Sequence, residues 1–279
     1  MASGFTNYAS TIILNSVLAG QPRGTLTTWY LAGFKVAPTA AGGGTESTYT
    51  NYARVAIAAN GANFPNATGT STVQVANGAA FLFPAAGAGT SESWTALGLF
   101  DAPTGGNLWT FYPCSASLTA STVIQVGIGE LVTEIVLNTN GGLTTYGAQQ
   151  ILNGYLRRSA FSPPSNWYLA GYTANPTIAG GGTESTRTGY ARVLIPADLT
   201  DWPSASGTNP ITQSNGNTVN FNPLGGSGTE TWLGWSLNDA LTAGNSWMFG
   251  LLSGLVVGNG SQVQFPVGSL QEILTSTTP

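Results

Sequence analysis

The chain states one sequence twice. Residues 29–69 (WYLAGFKVAPTAAGGGTESTYTNYARVAIAANGANFPNATG) return without a gap as residues 167–207 (WYLAGYTANPTIAGGGTESTRTGYARVLIPADLTDWPSASG), 138 positions later, with 25 of 41 positions identical. The offset persists downstream, where Glu92, Trp94, Leu99, Asp101 and Trp109 return as Glu230, Trp232, Leu237, Asp239 and Trp247. It persists upstream too, where Ile13, Leu14 and Asn15 return as Ile151, Leu152 and Asn153. Solenoid units run roughly 20 to 50 residues, so this period is far too long for one. It is the size of a domain. The expectation is two tandem domains, 1–138 and 139–279, joined at the Gly/Asn-rich stretch 138–142.

Composition removes most chemistry. There is no histidine and a single cysteine, Cys114, whose counterpart in the second repeat is Leu252. No intrachain disulfide, Ser-His or Cys-His pair can form, and a zinc site is improbable. Cys114 reads as a small buried hydrophobe. Charged residues make up 6% of the chain, with Lys35 the lone lysine, and the net charge is -4. No basic stripe is available to neutralise phosphates, so no nucleic-acid partner is expected. A surface of Ser, Thr, Asn, Gln and Gly is weakly repelled by its neighbours, which suits a protein packed in an assembly. The longest apolar stretch, 248–257, is interrupted by Gly250, Ser253 and Gly254, so no membrane insertion is expected.

Local patterns give mainly β structure with one short helix opening each repeat. In the second repeat Ala148, Ile151, Leu152, Tyr155 and Leu156 fall on one helical face, with Thr144 or Thr145 as cap. In the first, Ile13, Leu14, Val17 and Leu18 take the same places behind Thr6 or Asn7. The helix is expected to plug one end or open face of a sheet. Strands are predicted at 29–34, 52–58, 80–83, 94–100, 108–112 and 122–128, each short, aromatic or β-branched and bounded by turn residues. Such spacing suggests two tandem β-sandwich, jelly-roll-like domains. The glycine runs 42–44 and 180–182 lack the lysine and following helix of a phosphate loop, and read as tight loops with positive φ.

Charges that recur in so poorly charged a chain narrow the candidate sites. Glu46 lies eight residues before Arg54, and Glu184 before Arg192, spaced for a bidentate pair that locks a loop to a strand. Asp101 and Asp239 read as turn-formers. The competing enzymatic possibility is a glycosidase pair, Glu92 with Asp101, which needs the two carboxyls on one groove. No catalytic, cofactor or metal residues are assigned. Trp29, Trp94, Trp109, Trp167, Trp232 and Trp247 recur and read as core. Trp202 replaces Phe64 and Trp235 replaces Leu97, so these two are the candidates for partner or glycan contacts.

The Leu14-Asn15 helix end, the strand at 29–33, the loop at 42–46, Tyr52 to Val55 and the segment from Asp101 to Trp109, all repeated 138 residues on, resemble small virion proteins of tailed bacteriophages identified as tail-fibre proteins. The resemblance covers nearly the whole chain, once per repeat. It implies a non-enzymatic virion structural protein, assembled in the host cytoplasm, whose partners are tail, baseplate or major capsid proteins. A tail-associated module for assembly or host contact is the first expectation. A capsid decoration (cement) protein and a carbohydrate-binding adhesin gripping a host surface glycan are the alternatives. A homo-oligomer is expected, with three chains closing a ring of six similar domains.

Overall fold

The computed structural model describes residues 4–158 and 163–275. The first repeat runs β1 (Gly4–Phe5), α1 (Asn7–Leu18), β2 (Thr28–Val36), β3 (Thr45–Glu46), β4 (Val55–Ala58), β5 (Thr72–Ala76), β6 (Phe81–Leu82), β7 (Ser91–Phe100), β8 (Leu108–Thr119), β9 (Gln125–Val126) and β10 (Val132–Val136). The second runs β11 (Gly141–Leu143), α2 (Thr145–Leu156), β12 (Asn166–Ala174), β13 (Thr183–Glu184), β14 (Val193–Pro196), β15 (Ile211–Ser214), β16 (Val219–Asn220), β17 (Glu230–Asn238), β18 (Ser246–Val257), β19 (Gln264–Phe265) and β20 (Gln271–Leu274).

Each repeat is mainly β and builds one antiparallel sheet, in the order β1-β8-β7-β2-β3 with β4 also on β2, and β11-β18-β17-β12-β13 with β14 also on β12. Opposite it, in place of a continuous second sheet, stand two-stranded ribbons: β5–β10 and β6–β9 in the first repeat, β15–β20 and β16–β19 in the second. β5 and β10 lie outside the strands read from sequence, although both alternate.

The recurring Trp-Tyr-Leu-Ala-Gly strand is explained by close packing. Trp94 lies flat against Gly33, where an added Cβ would fall 2.5 Å from the indole ring, and Trp232 crowds Gly171 in the same way. Only glycine lets the ring approach the backbone so closely. The triple glycines have φ of 86°, 78° and 82° at Gly42, Gly43 and Gly44, and of 77°, 76° and 92° at Gly180, Gly181 and Gly182. These left-handed conformations turn the chain back so that Glu46 pairs with Phe34, and Glu184 with Tyr172.

The helices do more than plug their own sheets. Each is anchored at its start to its own repeat. Thr6 caps α1 by accepting from Ala9 N at 3.2 Å and donates to Leu108 O at 2.6 Å, while Thr144 caps α2 by accepting from Gly147 N at 3.1 Å and donates to Ser246 O at 2.6 Å. Each then bridges the repeats: α1 packs on β8 of its own repeat and β15 of the other, and α2 on β18 of its own and β5 of the other. Asn15 Oδ1 accepts from Ala205 N, and Asn153 Oδ1 from Ala67 N, both at 2.7 Å. Trp167 Nε1 donates to Leu18 O at 3.1 Å, and Trp29 Nε1 to Leu156 O at 2.9 Å. Leu18 O and Leu156 O belong to the last helical turn, whose carbonyls lack intrahelical donors. The indoles of the opposite repeat supply them. One hydrophobic cluster accordingly runs through both repeats, with Ile13, Leu14, Ile151 and Leu152 inside it.

These contacts are reciprocal: residue x of the first repeat meets y of the second, and x of the second meets y of the first. That is the signature of an isologous, twofold relation. In a ring of six domains built from three chains, this junction would be the contact within each chain, and a second, different contact would join the chains.

Candidate functional site

The recurring charges build two clamps with the same hydrogen bonds. Arg54 Nη2 and Nε donate to Glu46 Oε2 and Oε1 at 2.8 and 2.9 Å, and Arg192 meets Glu184 at 2.8 and 3.0 Å. Arg54 Nη1 donates further to Ala102 O and Gly105 O, both at 2.8 Å. Arg192 Nη1 donates to Ala240 O and Ala243 O at 2.8 and 2.7 Å. Tyr52 and Tyr190 complete each clamp by donating to Glu46 and Glu184. Burial, with the neighbouring carboxylate, pushes both phenols far above their ordinary value. Each arginine thus ties the glycine-run loop to the β7–β8 or β17–β18 turn, and the planar guanidinium fits this four-point arrangement.

Asp101 and Asp239 close those turns. Asp101 accepts from Asn107 N at 2.7 Å, Asn107 Nδ2 at 2.9 Å and Trp109 Nε1 at 3.1 Å, and Asp239 makes the same three contacts at 2.7, 2.9 and 3.2 Å. Burial would raise the Asp101 carboxyl, but these donors outweigh it and hold the group below the ordinary carboxylate range. Glu92 sits at the far end of β7, where it accepts from Ser47 and pairs with Lys35 at 3.5 Å. A strand rises about 3.3 Å per residue, so Glu92 and Asp101 stand roughly 25–30 Å apart along β7. Glycoside hydrolysis needs its two carboxyls within roughly 5 to 9.5 Å. The strand holds this pair too far apart to act together. Cys114 is half-buried, and burial pushes its thiol up to about 11.

The two repeat-specific tryptophans are not surface platforms. Trp202 is 1% exposed and takes the core place that Phe64 fills in the first repeat, with its backbone oxygen accepting from Gln213 Nε2. Burial overturns the expectation that Trp202 stacks on a glycan. Trp235 is 8% exposed, packed over Gly250 and edge-on to Phe265, so it too presents no open face. Its ring borders a cleft of about 660 Å³ together with Phe5, Gly142 and Glu272. The first repeat has Tyr112 at the strand position of Gly250, hydrogen-bonded to Thr133 at 2.8 Å. In the second, Gly250 stands where Tyr112 was and Glu272 where Thr133 was, because Glu272 pairs with Gln213 as Thr133 pairs with Val75. Burial raises the Glu272 carboxyl to about 8, and its Oε2 has no hydrogen-bond partner.

A second difference between the repeats was missed by the sequence reading. In the first repeat Tyr8, Trp29, Asp101 and Trp109 form an aromatic cage with one acid. Tyr8 stands edge-on to Trp109, which stands edge-on to Trp29. The Arg158 guanidinium, just beyond α2, enters this cage with its carbon 5.1 Å from the Trp29 ring centre and 5.2 Å from that of Trp109. The second repeat has the same rings: Tyr146 edge-on to Trp247, Trp247 edge-on to Trp167, and Asp239 on the Trp247 indole. There the residue corresponding to Arg158 is Gly20, which has no side chain to offer. A pocket of about 420 Å³ borders Tyr146, Asp239 and Trp247 and is lined further by the 163–166 segment and Tyr168. The signal was present in the sequence as a glycine aligned with an arginine at an offset that otherwise preserves the cage.

Among the described residues, no group of three or more His, Cys, Asp or Glu side chains is placed to hold a metal ion. Among the same described residues, no helix is long and apolar enough to cross a membrane. No curated protein matches the chain. A protein-family model, described as podophage GP4 fiber I protein gp80, matches residues 4–133 and again residues 142–272. Each match spans one repeat with its helix, and together they take in nearly the whole sequence. The chain therefore belongs to the podophage GP4 fiber I protein family, as a tandem pair of the family's unit.

Proposed function

We propose that this chain is a non-enzymatic structural module on the exterior of a tailed-phage particle, associated with the tail fibre or baseplate, where it mediates assembly or host contact. Its partners in this reading are other tail or baseplate proteins, which it joins as virions are assembled in the host cytoplasm. The reciprocal seating of α1 and α2 is the observation that carries the reading. It fuses two family units into one body with two similar faces, as suits a connector within an assembly. The recurring polar residues support it, since each is spent on internal clamps and turns. Any homo-oligomer, a trimer included, would use a face other than the junction, because the junction is already closed within one chain.

Immunogold labelling of intact particles tests the placement. Gold confined to the tail or its tip supports it. Gold spread over the head would assign the chain to capsid decoration instead, and would overturn the tail reading.

A further inference from the structure

One cross-strand position sets the second repeat apart from the first. Val75 stands opposite Thr133 across β5–β10, and Thr133 is satisfied by the Tyr112 hydroxyl at 2.8 Å. Across β15–β20 the same places hold Gln213 and Glu272, both buried, at 2% and 4% exposure. Residues directly opposite in an antiparallel pair share a face, with Cβ atoms about 5 Å apart. The orientation of the Gln213 amide is fixed, because its nitrogen donates to Trp202 O at 3.1 Å and to Pro203 O at 3.0 Å. Gln213 Oε1 is thereby left buried without a donor, and so is Glu272 Oε2. Either change alone strands a buried acceptor, which is costly. Two acceptors satisfy each other only if one of them carries a hydrogen, and a neutral carboxyl has one to give.

We propose that Glu272 is kept in the fold as a neutral acid whose O–H donates to Gln213 Oε1, and that this proton latches one of the two helix seats. The chain of contacts runs on from Gln213. Its nitrogen fixes Trp202 O and Pro203 O, and just beyond them the Ala205 N–H donates to Asn15 Oδ1 of α1 at 2.7 Å. The helix itself packs on β15 and β20. The seat of α2 has the matching contact, Ala67 N to Asn153 Oδ1, but Val75 in the place of Gln213, so it holds no such proton. Among the described residues, β11, β15 and β18 carry no titratable side chain and α1 carries Tyr8 alone. Glu134 of β10, which lines the same cleft, is a second acid. The Ile273 backbone gives a charge on Glu272 some support, but burial outweighs it and raises the carboxyl to about 8. Below that value the latch is closed. As pH rises through it the proton passes to solvent hydroxide, a carboxylate is left against the Gln213 oxygen, and the Asn15 seat loosens while the Asn153 seat does not. The latch belongs to the junction and does not depend on where the particle holds the chain.

The test is a pH titration of the full chain followed by NMR, with carbon-13 in the glutamate side-chain carboxyls and nitrogen-15 in the amides. Loss of a signal in Glu272→Gln assigns the Glu272 carbon. Near neutral pH that carbon is expected at the position of a neutral acid, moving to that of a carboxylate as pH rises through about 8. The Gln213 side-chain N–H signals and the Ala205 backbone N–H signal are expected to shift with the same midpoint, while the Ala67 N–H signal stays in place. In Glu272→Gln the new amide can donate to Gln213 Oε1 without titrating, so none of these signals shifts. A Glu272 already ionised at neutral pH overturns the proposal. So does a neutral Glu272 whose titration leaves Gln213 and Ala205 unmoved, or moves Ala205 and Ala67 alike. Should the wild type unfold before its midpoint, Glu272→Gln is expected to stay folded through that pH, and unfolding of both together overturns the latch. The titration uses no particle, so its failure leaves the placement of the chain to the labelling experiment.

Discussion

The indole nitrogen of Trp29 donates to the carbonyl oxygen of Leu156, 127 residues away at the end of the other repeat's helix, at 2.9 Å. Its counterpart, Trp167 to Leu18, spans 149 residues at 3.1 Å. Both indoles are buried, so each bond terminates a helix that water cannot reach.

Replacing either tryptophan with phenylalanine strands one of these carbonyls. Trp29→Phe and Trp167→Phe are each expected to cost about 1–3 kcal/mol, the penalty for an unsatisfied buried acceptor, with the smaller ring adding to it. Denaturant unfolding of each variant reads the loss directly. A change near zero would mean that the helix ends are held by packing alone.

Asn15→Ala and Asn153→Ala remove the side-chain acceptors for Ala205 N and Ala67 N. Each loss is expected to destabilise by about 1–2 kcal/mol. Because both act on one junction, the double variant should unfold the two repeats in a single transition at lower denaturant. Two separated transitions in the wild type would show that the repeats do not depend on each other.

Arg54→Lys keeps the charge and loses the fork. A lysine cannot reach Glu46 Oε1 and Oε2 together with Ala102 O and Gly105 O. The expected cost is about 2–3 kcal/mol, and Arg192→Lys should cost less, because Arg54 also lies 3.6 Å over the Phe100 ring, whose counterpart is Asn238. Thermal melts of the pair check both the size and the order.

Glu272 makes stability depend on pH with a definite sign. Its carboxyl rises from an ordinary 4.5 to about 8 on burial. The folded chain therefore keeps a proton that the unfolded chain releases between those values. Its contribution is fully present below pH 4.5 and is lost as pH rises through 8. Glu272→Gln keeps the shape without the titration. It is expected to be more stable than wild type at pH 9 by roughly 2–4 kcal/mol, with the gap closing toward pH 5. Parallel stability curves would contradict the burial of this group.

Much of this was legible in the sequence, because repetition makes spacing informative. The caps at Thr6 and Thr144, the Glu46–Arg54 and Glu184–Arg192 spacing and the turn at Asp101 all follow from short-range chemistry that two copies state twice. The bridging of each helix to the other repeat could not be read. A helix that fits a seat in its own repeat fits the duplicate seat equally well, and residue pattern alone does not choose between them. β10 was missed because its Val-Thr-Glu-Ile-Val alternation runs directly into the linker, and its partner β5 lies far upstream. Trp202 and Trp235 misled for another reason. A residue unique to one repeat can compensate another change nearby, as Trp235 covers Gly250, and need not mark a contact with something outside. The cage was visible as Gly20 against Arg158, yet a glycine after a helix is ordinarily just its stop signal.

Reciprocal helix seating makes the two repeats one body. The most direct measurement is to place a protease site in the exposed linker at 138–140, cut it, and determine the mass of the nicked protein in native buffer. The two fragments are expected to stay together at the mass of the intact chain and to separate only when unfolded. Fragments that part under native conditions, each remaining folded, would contradict it.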